Sequence, residues 1–170
     1  MPAVSLDPRP SSASRCTLSR IMTALDANLH GNIHGGVIMK LVDDAAGVVA
    51  ARHSGGRAVT AAMDEMVFLV PVHVGDLVHA HAQVNWAGRT SMEIGVRVEA
   101  ERWDEVGEPL HTSTAYLVYV GLDSRGKPRD VPPVLVAEDD EKGKRRFREA
   151  EIRRTHRLAR RDAILKFREG

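Results

Sequence analysis

The stretch VIMKLVDDAAGVVAARH, residues 37–53, decides how this chain folds. Its apolar residues Ile38, Leu41, Val42, Ala45, Val48 and Val49 recur at the three- and four-residue spacing of one helix face. Val37, Met39 and Ala46 widen that face until only Lys40, Asp43 and Asp44 interrupt it. A helix apolar on nearly all sides belongs inside a core. Two carboxylates within it need a reason. Adjacent helical residues point roughly 100° apart, so Asp43 and Asp44 do not act as a facing pair. One can reach a site while the other makes a structural hydrogen bond. The plain alternative is a buried aspartate that satisfies backbone groups of an adjoining strand.

Outward from this helix the pattern changes period. Upstream, RCTLSRIMTAL at 15–25 alternates loosely, with Cys16, Leu18 and Ile21 on one side, and predicts a first strand. The loop DANLHGNIHGG, rich in Asn, Gly and His, joins it to the helix. Downstream, a Ser-Gly-Gly turn at 54–56 leads into extended segments at 57–70, 77–88, 90–103 and 109–122. Period-2 alternation is clearest at Ile94, Val96 and Val98. One buried helix among sequential hairpins predicts an α+β domain, with a mostly antiparallel sheet wrapped around that helix. VPPV at 131–134 closes it.

The segment HGNIHGG at 30–36 carries the first chemical signal. Glycines at a helix start let the backbone approach a ligand and expose free N–H donors, which can hold a developing oxyanion. Asn32 offers a side-chain amide nearby; the competing reading is a tight turn. Asp43 lies seven residues after Gly36, or about 10 Å along a helix. One chain's Asp43 is thus badly placed to serve its own helix start. An antiparallel neighbouring helix would bring a second copy there, which points to a site shared across a dimer.

Other chemistries find little support. His30 and His34 share an i, i+4 spacing interrupted by glycine, and His79 and His81 share a strand face, so neither pair offers the three or four ligands of a zinc site. No metal is expected. No G-x-S-x-G elbow or phosphate-cradling G-x-x-x-x-G-K-[ST] loop occurs, and Cys16 has no recognisable base. At the hairpin WAGRTSMEIG, Arg89 is available to an anionic group, with Thr90 and Ser91 beside it; a solvated turn arginine is the simpler reading.

The 170 residues suit one domain with an appendage: a flexible arm at 1–14, a core domain at 15–137 and a charged helical extension at 138–170. Residues 138–169 hold 12 Lys/Arg and 8 Asp/Glu, a local charge of +4 within a chain of net +1. The acids open the extension and the basic residues follow, the polarity that a helix dipole favours. It reads as a solvated helix packed on the domain or on a neighbouring subunit, with an anionic partner (RNA or a membrane surface) as the alternative. The small net charge and 4% aromatic content argue against a nucleic-acid partner. A single cysteine suits a reducing compartment. With neither an apolar leader nor a membrane span in the sequence, a cytoplasmic protein is expected.

HGNIHGGVIMKLVDDAAGVVAARH resembles the signature of hot-dog-fold acyl-CoA thioesterases, particularly the cytosolic (brain-type) acyl-CoA hydrolases and their bacterial relatives. The likeness continues through FLVPVHVGDLV, VNWAGRTSMEIGVRVEAE and VPPV, over roughly residues 15–160. It implies a curved antiparallel sheet around a long central helix, and hydrolysis of fatty acyl-CoA to free fatty acid and CoA. Carried over, Asn32 matches the catalytic asparagine and Asp43 the catalytic carboxylate, with backbone N–H groups near Gly35 and Gly36 polarising the thioester carbonyl. His34, Gly35, Arg89, Thr90 and Ser91 fall to substrate contact. The resemblance implies no cofactor beyond the coenzyme A of substrate and product. It also implies a homodimer at least, and a trimer of dimers as the first expectation. A hot-dog hydroxyacyl-CoA dehydratase using His34, and a non-catalytic acyl-CoA sensor or anion-binding module using the tail, are the rival readings.

Overall fold

The computed structural model describes residues 5–169. In chain order the elements are β1 (Arg9–Pro10), a 3-10 turn (Ser11–Ser14), β2 (Cys16–Ile21), a second 3-10 turn (Ala24–Asp26) and α1 (Gly35–Ser54). These are followed by β3 (Ala58–Phe68), β4 (Asp76–Ala87), β5 (Ser91–Arg102), β6 (Leu110–Gly121), β7 (Val134–Leu135) and α2 (Glu141–Glu169). Five strands form one antiparallel sheet in the order β2-β4-β5-β6-β3. β2 and β3, which flank α1 in sequence, are its two edges. α1 therefore spans the sheet from edge to edge and touches all five strands. This is the α+β arrangement expected from the patterning.

The core lies between α1 and one sheet face. Ile38, Val42, Ala45, Ala46 and Val49 of the helix pack against Val78, Ala80, Ile94, Val96, Val98, Ala115 and Leu117. Each large aliphatic side chain removed from water in this way contributes about 1.5–3 kcal/mol. The alternation at Ile94, Val96 and Val98 puts these residues inward, as period 2 requires. In β2, however, Ile21 is half exposed, and Met22, just past the strand, is the buried residue (1% exposed).

α1 opens two residues earlier than its apolar pattern, taking Gly35 and Gly36 into its first turn. Glycine is a weak helix former, and two neighbours compensate. The His34 imidazole caps the turn, its Nδ1 accepting the Gly36 N–H at 2.9 Å, and the Phe68 ring lies against Gly35. At the other end Gly55 adopts the left-handed conformation (φ 69°) that closes many helices.

Residues 1–14 were expected as a flexible arm. Residues 1–4 lie outside the described residues, but from Arg9 onward the segment is tied down. β1 pairs in parallel with β7, and the Arg9 guanidinium donates to the carbonyls of His53 and Arg52 at the end of α1. Those carbonyls are among the ones a helix leaves unpaired, so a nearby arginine finds ready acceptors.

α2 lies on the opposite sheet face. Arg153 makes a two-pronged pair with buried Glu93 (3.1 and 2.7 Å) and stacks over the Tyr116 ring at 3.6 Å. Arg157 pairs with Asp64, and Arg154 lies over Trp86. The basic helix is thus docked through part of its own charge. No helix among the described residues is long and apolar enough to cross a membrane.

Candidate active site

The half-buried side chain of Asp43 leaves α1 toward the far edge of the sheet. Thr60 of β3 and Tyr119 of β6 are cross-strand partners, so the register delivers two hydroxyls to one place. Both lie 2.7 Å from Asp43 Oδ1, and the Tyr119 hydroxyl is also 2.9 Å from the Asp43 carbonyl. Oδ2 has no partner among the described residues. Burial, reinforced by the carboxylate beside it, holds the Tyr119 phenol above its usual range, so it stays a donor. Asp44, the adjacent carboxylate, turns outward and pairs with Lys40 at 2.5 Å. The two aspartates have separate tasks, as the 100° step between them requires.

The loop before α1 is shaped by Asp26 and Asn28. Asp26 accepts from the Thr23 N–H and hydroxyl, both at 2.9 Å, and from Arg20 at 2.6 Å. The Thr23 backbone bond is the main reason its carboxyl titrates below the ordinary value, although burial works the other way. Asn28 turns the chain: its Oδ1 accepts the N–H groups of His30 (2.8 Å) and Asn32 (3.3 Å). Gly31 sits at φ 81° in this tight loop, a conformation that suits glycine.

A hollow of about 510 Å³ opens at the helix start, lined by Ala27, Asn28, Leu29, His30, His34 and Gly35. Asn32 does not line it; its backbone bridges to His73. Asn28 is the asparagine that faces the hollow. Gly36 also differs from expectation, because its N–H is already given to His34. The Gly35 N–H is the amide of the pair left without a partner among the described residues.

Arg89, Thr90 and Ser91 form a third locality. The carbonyl of Thr90 accepts from Gly121, Ser91 pairs with Val120, and the largely exposed Arg89 side chain reaches Asp130 at 3.5 Å. This turn lies beside the Tyr119 end of β6, away from the helix start. Within one protomer, therefore, the Arg89 turn borders β6, while Asn28, His34 and Gly35 line the hollow at the helix start. Thr60 and Tyr119 were not singled out from the sequence, since only strand register brings them to Asp43. Asn28 carried a local signal, the Asn–x–His–x–Asn spacing of a side chain capping its own loop. Among the described residues no cluster of three or more His, Cys, Asp and Glu is placed to hold a metal ion.

Residues 30–106 match the Thioesterase superfamily. An uncharacterized acyl-CoA thioester hydrolase of Bacillus subtilis is 41% identical over 117 residues, covering 69% of this chain and 67% of that protein. The chain is a member of the hot-dog thioesterase superfamily. A cytosolic acyl coenzyme A thioester hydrolase of Mus musculus is 35% identical over 89% of this chain, which spans 40% of that protein's length. Among solved hot-dog thioesterases, the Asp43Ala mutant of a Staphylococcus aureus acyl-CoA hydrolase superposes with a TM-score of 0.86 at 32% identity. It covers 96% of this chain and 98% of its own. The same hydrolase is known as Asn28Ala and Thr60Ala mutants and in complex with butyryl coenzyme A. An apo-hexameric acyl-CoA thioesterase superposes with a TM-score of 0.85 at 33% identity, over 91% of this chain and 97% of that one.

Proposed function

We propose that this chain hydrolyses acyl-CoA thioesters at a site built from two protomers, Asp43 of one facing the helix start of the other. The observation that carries this reading is the Asp43 carboxylate, held at Oδ1 by Thr60 and Tyr119 and unspent at Oδ2. Along α1 it stands about 10 Å from Gly36, too far to serve its own loop. Edge strand β3 and the residue after it expose Val59, Val67, Phe68 and Leu69, and an apolar unpaired edge favours a second copy. The Staphylococcus aureus mutants name Asn28, Asp43 and Thr60, and this chain has the same residue types at those numbers. The hexameric relative supports assembly of such dimers into a hexamer.

In this mechanism Asp43 Oδ2 takes a proton from water as its oxygen attacks the thioester carbonyl carbon. The Gly35 N–H, at the positive end of α1, receives the developing oxyanion. Asn28 orients the water or carbonyl, the task that the sequence resemblance gave to Asn32. The C–S bond then breaks and CoA leaves as a thiolate, which takes up a proton. Thiolate is a good leaving group, so no serine or cysteine nucleophile is needed. CoA is part of substrate and product, no separate cofactor takes part, and Arg89, Thr90 and Ser91 serve its phosphate or pantetheine portion.

The test is CoA release from palmitoyl-CoA and a short acyl-CoA, followed with a thiol-reactive dye. Asp43→Ala should lose about 100-fold or more of kcat while folding and assembling normally. Asn28→Ala should lose activity far more than Asn32→Ala; the reverse order would return the asparagine's role to Asn32. Acyl-CoA binding without turnover in the wild type would overturn the proposal in favour of a sensor.

A further inference from the structure

The end of α2 projects from the protomer. The partners of this helix step across the outer sheet face in strand order: Arg153 meets Glu93 of β5 and Tyr116 of β6, and Arg157 reaches Asp64 of β3. β3 is the edge, so the helix runs off the sheet there. Ala150 is fully buried, whereas every residue from Arg161 to Arg168 is exposed, a stretch of about 12 Å along the axis. In proteins most helical stability comes from packing of one face, and no face of this stretch is covered among the described residues. It presents Ile164, Leu165 and Phe167, the last 87% exposed, among Arg161, Lys166 and Arg168.

A surface of opposite charge stands where β5 turns into β6. A cleft of about 450 Å³ there takes apolar side chains from Val70, Val106 and Leu110 and carboxylates from Glu101, Glu105 and Glu108. Val106 and Leu110 are exposed, and so is Trp103, the neighbour of Arg102 in the lining. Glu101 is paired with His79, and Arg102, with His73 the basic part of the lining, is paired with Asp76. Glu105 and Glu108 have no ion-pair partner among the described residues. An exposed apolar patch rimmed by charge marks an interaction site.

We infer that this cleft takes the end of α2 from a second copy of the chain. Ile164, Leu165 and Phe167 pack on Trp103, Val106 and Leu110, and Lys166 and Arg168 face Glu105 and Glu108. Charge selects this occupant: the projecting helix is basic, the cleft is acidic, and each carries exposed apolar side chains. One chain does not bring the two together, because the helix leaves at edge β3 while the cleft lies at the strand ends. The surfaces are unlike, so the contact runs head to tail and closes into a ring. A ring of three dimers, each joined through β3, makes a hexamer. That last step rests on the dimer of the proposed function; the contact itself does not, since neither Asp43 nor the residues around the helix-start hollow line this cleft.

The experiment is sedimentation of the full-length protein, with the same samples assayed for CoA release. The wild type should sediment as a hexamer. Phe167→Asp, and separately Glu105→Lys together with Glu108→Lys, should each leave dimers or raise the dissociation constant of the ring by about tenfold or more, as loss of an aromatic anchor or of charge pairs does. Adding Lys166→Glu and Arg168→Glu to the second variant should restore the hexamer. Ile152→Asp, exposed on the docked part of α2, should change nothing. All these positions are exposed in the protomer, and melting curves should report each variant folded. A photoreactive benzoylphenylalanine in place of Phe167 should cross-link to residues 103–110 of another copy. Assembly untouched by both sets of changes overturns the inference, and so do cross-links that map elsewhere or a wild type no larger than a dimer. CoA release that persists in those cases separates this failure from a failure of the hydrolysis reading.

Discussion

The two oxygens of Asp43 differ in their surroundings. Oδ1 is fixed by two hydroxyls, which orient the carboxylate, and Oδ2 is the one that the proposed mechanism uses to exchange a proton. Thr60→Val and Tyr119→Phe each remove one restraint while preserving shape. Each should lower kcat by about tenfold with little change in KM, the pattern of a mis-set base rather than a lost binding contact. His53 and Asp26 both contribute to the pH dependence of stability on the acid side. His53 is buried (1% exposed), one nitrogen facing the Pro132 carbonyl at 3.0 Å, and burial lowers its pKa from the ordinary 6.5. The unfolded chain then binds the proton more readily than the folded one. The His53 contribution is therefore complete above pH 6.5 and lost as pH falls through the lower folded value. Asp26, lowered from 3.8, acts further into acid: its contribution is present above 3.8 and lost as pH drops through its folded value. Urea midpoints should be level above neutrality and decline in these two stages, and His53→Gln should remove the first.

Each helix uses its sequence differently. α1 is held by apolar burial on the inner sheet face, whereas α2 is fixed to the outer face by arginines on Glu93, Asp64, Tyr116 and Trp86. Removing one partner of a buried ion pair strands the other charge. Arg153→Met should therefore cost about 3–5 kcal/mol in chemical denaturation, while Arg161→Met, exposed and paired with its neighbour Asp162, should cost little. The basic residues of α2 were legible from composition, and so was a helix packed on the domain. Their partners were not, because Glu93 and Asp64 belong to strands far away in sequence.

The whole molecule is arranged so that one protomer separates what the proposed chemistry must unite. A shared site makes a complementation prediction. Mixing and refolding equal amounts of Asp43→Ala and Asn28→Ala protomers should restore about a quarter of wild-type activity, since half the dimers are mixed and each mixed dimer has one intact site of two. If both residues acted within one chain, the mixture would remain inactive. Charging the exposed edge with Val67→Lys and Leu69→Lys should dissociate the dimer and abolish turnover with Asp43 intact, read by light scattering beside the activity assay.

The sequence by itself determined the buried helix, the inward set of Ile94, Val96 and Val98, the five strands and the different directions taken by Asp43 and Asp44. All of these follow from local periodicity, which a chain carries in its own spacing. The resemblance gives the asparagine's role to Asn32 because motif reading sees residue types, while the Asn28 side chain gains its place beside the hollow from the loop it caps. Only the tertiary structure decided that Thr60 and Tyr119 meet Asp43, that Arg153 finds Glu93, and that the end of α2 runs off the sheet at β3. Such contacts depend on strand register and helix docking, and a one-residue slip in register would turn every side chain of a strand to the other face.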